Sequence, residues 1–168
     1  DKPIVDRANR RGCFFKMVSP SYFRALGMKL RKGRPLGEHD AKGGQPVTVV
    51  NETMVRLYFK DEDPIGKRIL VQEIVPGKTQ LGPEIPWEIV GVVADEKVTN
   101  IDNRNDNPGM YVTNEQSPVY FQALVVRAAM DPAGLKQALG KAVHGINKDQ
   151  TLTDVRTLDQ IKSESMAT

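Results

Sequence analysis

Residues 87–94 read Trp87-Glu88-Ile89-Val90-Gly91-Val92-Val93-Ala94 and form the most apolar run of the chain. A short run of this kind predicts a strand buried on both faces, which places it near the centre of a sheet. It is much shorter than the roughly 18 apolar residues that a membrane-spanning helix needs. We therefore expect a sheet that is built outward from this strand.

Shorter apolar runs on both sides predict the remaining strands. They cover residues 13–18, 28–30, 47–50, 68–71, 110–112, 120–127 and 152–155. Segments rich in Pro, Gly, Asp and Asn separate them and predict loops, the longest at residues 76–86 and 95–108.

Capping signals predict short helices between these strands. A polar cap residue, followed by proline or by an acidic or amide side chain, is typical of a helix start. Gly27 is placed to end the first helix in a left-handed turn. The start signals are Ser19-Pro20, Asn51-Glu52, Asp131-Pro132, and Thr157 with Gln160.

The order of these elements predicts an α+β fold. We expect a mixed β-sheet built from βαβ-like units, with short helices packed on one side. The length of 168 residues suits one domain over 1–168. The chain begins with Asp1 rather than Met, which predicts that it is an excised piece of a larger protein.

Charge is distributed unevenly along the chain. Residues 1–35 hold ten Lys and Arg against two acidic residues, whereas the rest holds fourteen basic and nineteen acidic residues. A basic segment can meet the phosphates of nucleic acid or of lipid headgroups, or it can be the solvated face of an ordinary strand. The aromatic residues within it, Phe14, Phe15, Tyr22 and Phe23, have the spacing of core residues.

No motif nominates a catalytic, cofactor-binding or metal-ligating residue. Gly77-Lys78-Thr79 resembles the end of a phosphate-binding loop, but Gln72 stands where the first glycine is required. His39 and His144 are isolated, and Cys13 is the single cysteine, expected to be a small buried side chain. We therefore expect no enzyme activity, no cofactor and no metal.

Five motifs in order nevertheless resemble the MacB-like periplasmic core domain of FtsX/MacB-type ABC transporter permeases. The resemblance covers about residues 13–163. Its motifs are Val18-Ser19-Pro20 through Gly33-Arg34, Val49-Val50-Asn51-Glu52-Thr53, Asp63-Pro64-Ile65-Gly66, Trp87 through Asp95, and Val125-Val126-Arg127 with Asp154-Val155-Arg156-Thr157.

The resemblance implies a porter-like lobe, with residues 68–118 as a small β-rich second lobe. It places the domain between two transmembrane helices, on the periplasmic face of the bacterial inner membrane. The implied role is non-catalytic: motion of the membrane helices, driven by ATP, is passed to a substrate or partner in efflux or lipoprotein-type transport. The implied partners are the chain's own transmembrane helices, a cytoplasmic ABC ATPase, a second permease in a dimer and a periplasmic adaptor, with no nucleic acid.

Arg31, Lys32 and Arg34 are the candidate site within the basic segment. If that segment lies close to the membrane, these three residues are expected to contact anionic headgroups. The alternative function is a stand-alone module that binds phosphate or nucleic acid through residues 7–34, with an affinity that falls steeply with salt.

Overall fold

The computed structural model describes residues 12–60, 62–73, 79–96, 107–118, 122–150 and 152–166. The chain divides into two compact units. One consists of Asp1–Glu96 with Asn105–Val125, and the other of Lys97–Arg104 with Val126–Thr168.

The first unit, called here the sheet unit, is built on a six-stranded mixed sheet. Its elements are β1 (Phe14–Val18), α1 (Tyr22–Leu26), β2 (Leu30–Gly33), β3 (Val47–Asn51), α2 (Glu52–Tyr58), β4 (Arg68–Gln72), β5 (Glu84–Val93) and β6 (Gly109–Thr113). The strand order is β1-β6-β3-β5-β2, and β4 pairs with the first half of β5. The β1–β6 and β3–β5 pairs are parallel, and the β6–β3, β5–β2 and β5–β4 pairs are antiparallel.

The prediction of an α+β fold with a central strand at residues 87–94 is confirmed. Strand β5 pairs with three other strands, and Trp87 and Ile89 within it are buried. The side chains of β3 are buried on both faces of the sheet, because they alternate between two hydrophobic clusters.

The expectation that the helices pack on one side of the sheet is wrong for this unit. Val49 of β3 lies in a cluster with Phe23 of α1, whereas the next residue, Val50, lies in the opposite cluster with Met54 of α2. Successive residues of a strand face opposite sides, so α1 and α2 cover different faces of the sheet. A sheet that is apolar on both faces requires a cover on each.

Residues 68–118 do not form a lobe separate from this sheet in the part of the chain that the structure describes. The three strands within that range, β4, β5 and β6, all pair into the sheet that also contains β1–β3. The second unit instead draws on the C-terminal part of the chain. Both β5 and β6 pair with β3. Because β3 lies outside residues 68–118, these two strands need a partner that an isolated lobe would not supply.

The second unit, among its described residues, contains the helices α3 (Pro132–Ile146) and α4 (Leu158–Met166). Both predicted starts are confirmed. Asp131 accepts hydrogen bonds from the amides of Ala133 and Gly134 at 3.0 and 3.3 Å. The Thr157 amide donates to Gln160 Oε1 at 2.8 Å, and the Gln160 amide donates to Thr157 Oγ1 at 3.2 Å, which completes the capping box.

Two predicted strands are absent from the described residues. Residues 122–127 and 152–155 have no regular secondary structure, and residues 119–121 and 151 lie outside the described part. Leu124, for example, is 66% exposed. A β-branched run forms a strand only where a neighbouring strand offers hydrogen bonds, and sequence pattern alone does not report that neighbour.

The first helix differs from its prediction at one end only. Helix α1 begins at Tyr22 rather than directly after Ser19, and Ser21 at its cap makes no side-chain capping bond. At the other end, Gly27 has the left-handed φ of 67° that was expected. The Met28 amide then donates to the Phe23 carbonyl at 2.8 Å, which closes the turn.

Candidate functional site

The three predicted basic residues lie together at one edge of the sheet. Arg31 and Lys32 belong to β2, and Arg34 follows directly after it. Each pairs with a carboxylate: Arg31 Nε lies 3.0 Å from Glu52 Oε1, and Lys32 Nζ lies 2.7 Å from Asp63 Oδ2. These two pairs are exposed, so each contributes little to stability and can exchange its partner.

Arg34 has a different role from its two neighbours. Its guanidinium donates two parallel hydrogen bonds to Asp40, from Nη1 to Oδ2 at 2.7 Å and from Nη2 to Oδ1 at 2.8 Å. The Gly37 amide also donates to Asp40 Oδ2 at 2.8 Å, and the Thr113 hydroxyl donates to the Asp40 carbonyl. Arg34 therefore fastens the loop 34–40 rather than presenting a free charge.

The pKa of Asp40 reflects these bonds. Burial acts to raise it, but the bonds from Arg34 and the Gly37 amide outweigh burial, and the pKa is lowered from its usual value. Asp40 is thus held ionised, and its charge balances that of Arg34.

The aromatic residues of the basic segment are core residues, as expected. Phe23 is buried, and Phe14, Phe15 and Tyr22 pack partly buried against the two clusters. Single-stranded nucleic acid is usually bound by stacking on accessible aromatic rings beside basic side chains. The packing of these rings and the pairing of the three cations do not favour the nucleic-acid alternative.

A groove of about 890 Å³ lies in the sheet unit next to α1. Phe23, Met28 and Val93 contribute apolar surface to it, while Arg24, Glu38 and Glu115 contribute charges. Sequence reasoning missed this groove, because its lining residues come from segments far apart in the chain that only the folded sheet brings together.

A network of ionisable side chains lies at the end of β5. Glu96 Oε2 accepts a hydrogen bond from Lys16 Nζ at 2.7 Å, and its other oxygen accepts one from the Tyr22 hydroxyl. The Tyr111 hydroxyl lies 3.5 Å from Glu96 Oε2. Burial, followed by the neighbouring Glu96 carboxylate, raises the pKa values of Tyr22 and Tyr111 well above the usual value, so both stay neutral.

A second polar cluster surrounds the start of α2. Asn51 caps the helix as predicted, since its Oδ1 accepts from the Met54 amide at 2.9 Å. The same Oδ1 accepts from the Gly109 amide at 2.9 Å, and Asn51 Nδ2 donates to the Asn107 carbonyl at 3.0 Å. Sequence reasoning identified the cap but not these bonds to the segment before β6.

Asp95 completes this cluster from the end of β5. Its Oδ1 accepts from the Thr53 amide and its Oδ2 accepts from the Thr53 hydroxyl, both at 3.0 Å. A carboxylate is favourable at the positive end of a helix. Asp95 belongs to the motif Trp87 through Asp95, which carried the family resemblance, and here it links β5 to α2.

The other residues singled out in the sequence lie apart from these clusters. His39 is 70% exposed, with Nε2 3.6 Å from Asp40 Oδ1, and His144 is exposed in the last turn of α3. Cys13 is half-buried, and burial raises the pKa of its thiol. The residues that the structure describes hold no group of three His, Cys, Asp or Glu side chains with the arrangement of a metal site. Gly77 and Lys78, which resemble the end of a phosphate-binding loop in the sequence, lie outside the described residues.

Hydropathy adds one observation. Within the described ranges, none of the helices combines the length and the apolar character that crossing a membrane requires.

Comparison with protein families gives a match over nearly the whole chain. The model of the family described as MacB-like periplasmic core domain matches residues 4–158. This range contains β1 through α3, and with them both the cluster at the start of α2 and the Glu96 network.

Curated relatives match over shorter ranges. The macrolide export ATP-binding/permease protein MacB of Aggregatibacter actinomycetemcomitans is 28% identical over 81 residues, which are 48% of this chain and 11% of that protein. MacB of Neisseria gonorrhoeae is 38% identical over 56 residues, 33% of this chain and 9% of that protein. The probable syringafactin export ATP-binding/permease protein SyfD of Pseudomonas syringae pv. syringae is 28% identical over 117 residues, 66% of this chain and 16% of that protein. The chain thus spans only about a tenth of the length of the first of these proteins.

One solved structure shares the fold. The periplasmic region of MacB from Actinobacillus actinomycetemcomitans superposes with a TM-score of 0.58 at 18% sequence identity. The superposition covers 92% of this chain and 65% of that one.

Proposed function

Because the chain belongs to the MacB-like periplasmic core domain family, we propose that it works as the extracytoplasmic domain of an ABC transporter permease. It lies between two transmembrane helices of the permease, on the periplasmic face of the bacterial inner membrane. The family match over residues 4–158 is the observation that carries this proposal.

In this function the domain makes and breaks no covalent bonds. ATP is hydrolysed by a separate nucleotide-binding domain or subunit, and the domain passes the resulting motion of the membrane helices to a substrate or partner. The polar clusters of the sheet unit suit this role, since Arg34 binds Asp40, Asn51 binds Gly109 and Thr53 binds Asp95 within the unit itself. Such internal bonds make the unit stiff, and stiffness is what transmission of a displacement requires.

The transport direction proposed here is export. The names of two relatives describe export of a macrolide and of syringafactin, and we extend to this chain only the class, export of a molecule through the cell envelope. The working assembly consists of two permeases and a cytoplasmic ATPase, together with a periplasmic adaptor. The groove beside α1 is the surface of the sheet unit that offers substrate or adaptor an apolar contact with charged groups around it.

Amide hydrogen exchange tests this function without knowledge of the substrate. In the full permease, reconstituted with its ATPase, exchange in this domain is expected to change when ATP and vanadate replace ADP. The change is expected to vanish when the phosphate-binding lysine of the ATPase is substituted, which serves as the control. Tight binding of ATP by the isolated chain, or exchange that is identical in both nucleotide states of the intact transporter, would refute the proposal.

A further inference from the structure

Two separate parts of the backbone meet the first turn of α2. One part follows the end of β5, and the other precedes β6. After β5, Asp95 accepts two hydrogen bonds from Thr53, one from the amide and one from the hydroxyl, both at 3.0 Å. Around the start of β6, Asn51 donates to the Asn107 carbonyl at 3.0 Å and accepts from the Gly109 amide at 2.9 Å.

We propose that these groups form one structural unit, the α2 clamp, which holds the end of β5 and the segment that leads into β6 in one fixed relation. The clamp consists of Asn51, Thr53, Asp95, Asn107 and Gly109. The inference rests on the proposed function, since it assigns to these residues the positioning role in transmitting motion. Displacement of Asp95 moves α2 through Thr53, and α2 moves Gly109 through the shared oxygen of Asn51.

The bonds of the clamp exceed what helix capping requires. One acceptor side chain is enough to cap a helix, as Asp131 shows at α3, where it binds the amides of Ala133 and Gly134. At α2 two side chains accept from adjacent amides: Asn51, at the end of β3, from Met54, and Asp95, which follows β5, from Thr53. The Nδ2 group of Asn51 binds the Asn107 carbonyl, a contact that contributes nothing to the helix.

Burial makes the clamp stiff. Asn51 is 2% exposed and Thr53 is fully buried. A buried group that loses its partner bears the whole desolvation cost, so partial opening of the clamp is unfavourable. Gly109 contributes to the same effect, because the ring of Phe14 lies against its Cα and leaves no room for a side chain.

Amide exchange in the 168-residue chain tests the coupling directly. Asp95→Ala is expected to speed exchange of the Gly109 amide about tenfold, although within the clamp Asp95 bonds to Thr53 and Gly109 bonds to Asn51. The matched control is Asp131→Ala, which removes an N-cap carboxylate of the same type from α3 and is expected to leave Gly109 unchanged. Faster exchange confined to Thr53 and Met54 in Asp95→Ala would overturn the inference.

A second variant keeps the test decisive if Asp95→Ala does not fold. Asn51→Ser retains a good cap for the Met54 amide but is too short to reach Asn107 and Gly109. It is expected to speed exchange at Gly109 about tenfold while Met54 stays protected. Adding Asp95→Ala to Asn51→Ser should then have no further effect at Gly109, because coupled residues are non-additive. Additive effects in this cycle would contradict the clamp.

The intact transporter separates this inference from the proposed function. If exchange in the wild-type domain does not change with the nucleotide state, the proposed function is refuted. This holds whatever result the Asp95→Ala and Asn51→Ser variants give in the isolated chain. If the wild-type domain responds to ATP and both clamp variants respond equally well, the proposed function stands and the positioning role of the clamp is refuted. Loss of the response in both variants, with ATP hydrolysis retained, supports the clamp.

Discussion

Arg34 and Asp40 form a two-point ion pair, with N–O distances of 2.7 and 2.8 Å, in which the carboxylate is buried and the guanidinium is half exposed. The pair closes the loop between β2 and β3, because the Gly37 amide and the Thr113 hydroxyl also bind Asp40. Two parallel bonds of this kind fix an orientation that a single point charge does not.

Removing the guanidinium is therefore expected to destabilise the sheet unit. Arg34→Ala leaves a buried carboxylate without its partner and should lower the free energy of unfolding by about 2 kcal/mol. Arg34→Lys should recover only part of this free energy, since an ammonium group cannot form the two parallel hydrogen bonds. Urea unfolding measures both. Arg31→Ala, at an exposed pair, is the control and should cost less than about 0.5 kcal/mol; an equal cost for both alanine variants would contradict the assignment.

The same pair predicts a dependence on pH. The pKa of Asp40 is lowered in the folded chain, so its contribution is present above the unfolded pKa and is lost as pH falls through the folded one. The difference in unfolding free energy between the wild type and Arg34→Ala should therefore be full at about pH 6 and shrink below about pH 4. Urea unfolding at several pH values checks this, and a difference that does not change with pH would speak against it.

Gly109 is expected to tolerate no side chain. A methyl group there would collide with the ring of Phe14, which packs edge-on against Tyr111 at 5.5 Å between centroids. Gly109→Ala should cost about 1–3 kcal/mol of unfolding free energy. The control is Gly140→Ala in α3, where nothing lies within 4 Å and alanine should stabilise the helix by about 1 kcal/mol. Circular dichroism during urea unfolding distinguishes these opposite signs, and a stable Gly109→Ala chain would show that the ring can move.

Alkaline pH should destabilise the sheet unit, because two tyrosines ionise more readily in the unfolded chain than in the folded chain. Tyr22 and Tyr111 stay neutral in the folded chain, whereas in the unfolded chain they ionise near about pH 10. Above that pH the unfolded state loses protons that the folded state keeps, so stability falls as pH rises. Tyr111→Phe should reduce this slope by about 1.4 kcal/mol per pH unit.

The comparison with Tyr22→Phe separates ionisation from hydrogen bonding. This variant should reduce the slope similarly, but it should also cost stability at neutral pH, because the Tyr22 hydroxyl donates a hydrogen bond to Glu96. Thermal unfolding between about pH 9 and 11 measures both effects. A slope that is unchanged in Tyr111→Phe would contradict the account.

Contact of the basic edge with anionic headgroups remains a prediction. Arg31 and Lys32 can exchange their exposed partners, Glu52 and Asp63, for lipid phosphates, whereas Arg34 is needed to hold Asp40. Arg31→Ser with Lys32→Ser should therefore weaken sedimentation with phosphatidylglycerol vesicles. Lys136→Ser with Lys141→Ser removes the same charge from α3 and is the control. Unchanged vesicle binding in the first pair would dispose of the contact.

Local signals predicted most of the sheet unit. The apolar runs identified β1, β3, β4, β5 and β6, and the caps at Asn51 and Asp131 were predicted from residue type alone. These features depend on a few neighbouring residues, so the sequence contains the information that they need. The predicted strand at 120–127 is wrong over its described residues, because a strand depends on hydrogen bonds from a partner distant in sequence.

The candidate sites were less predictable than the elements. Arg31, Lys32 and Arg34 look alike as a basic run, and only the folded chain gives Arg34 a buried partner that its neighbours lack. The Glu96 network had no signal in composition or spacing, and of the α2 clamp only the Asn51 cap was predicted, since the members come from β1, α1, β3, α2, the end of β5 and β6.

The amino-acid order by itself determined which segments are strands and helices in the sheet unit, and the ordered motifs identified the family, because alternation, capping and turn formation act over a few residues. Tertiary structure decided which faces α1 and α2 cover, which cations are neutralised and which backbone segments Asn51 joins. Those outcomes depend on strand order and on burial, and both arise only when residues far apart in the chain are brought into contact.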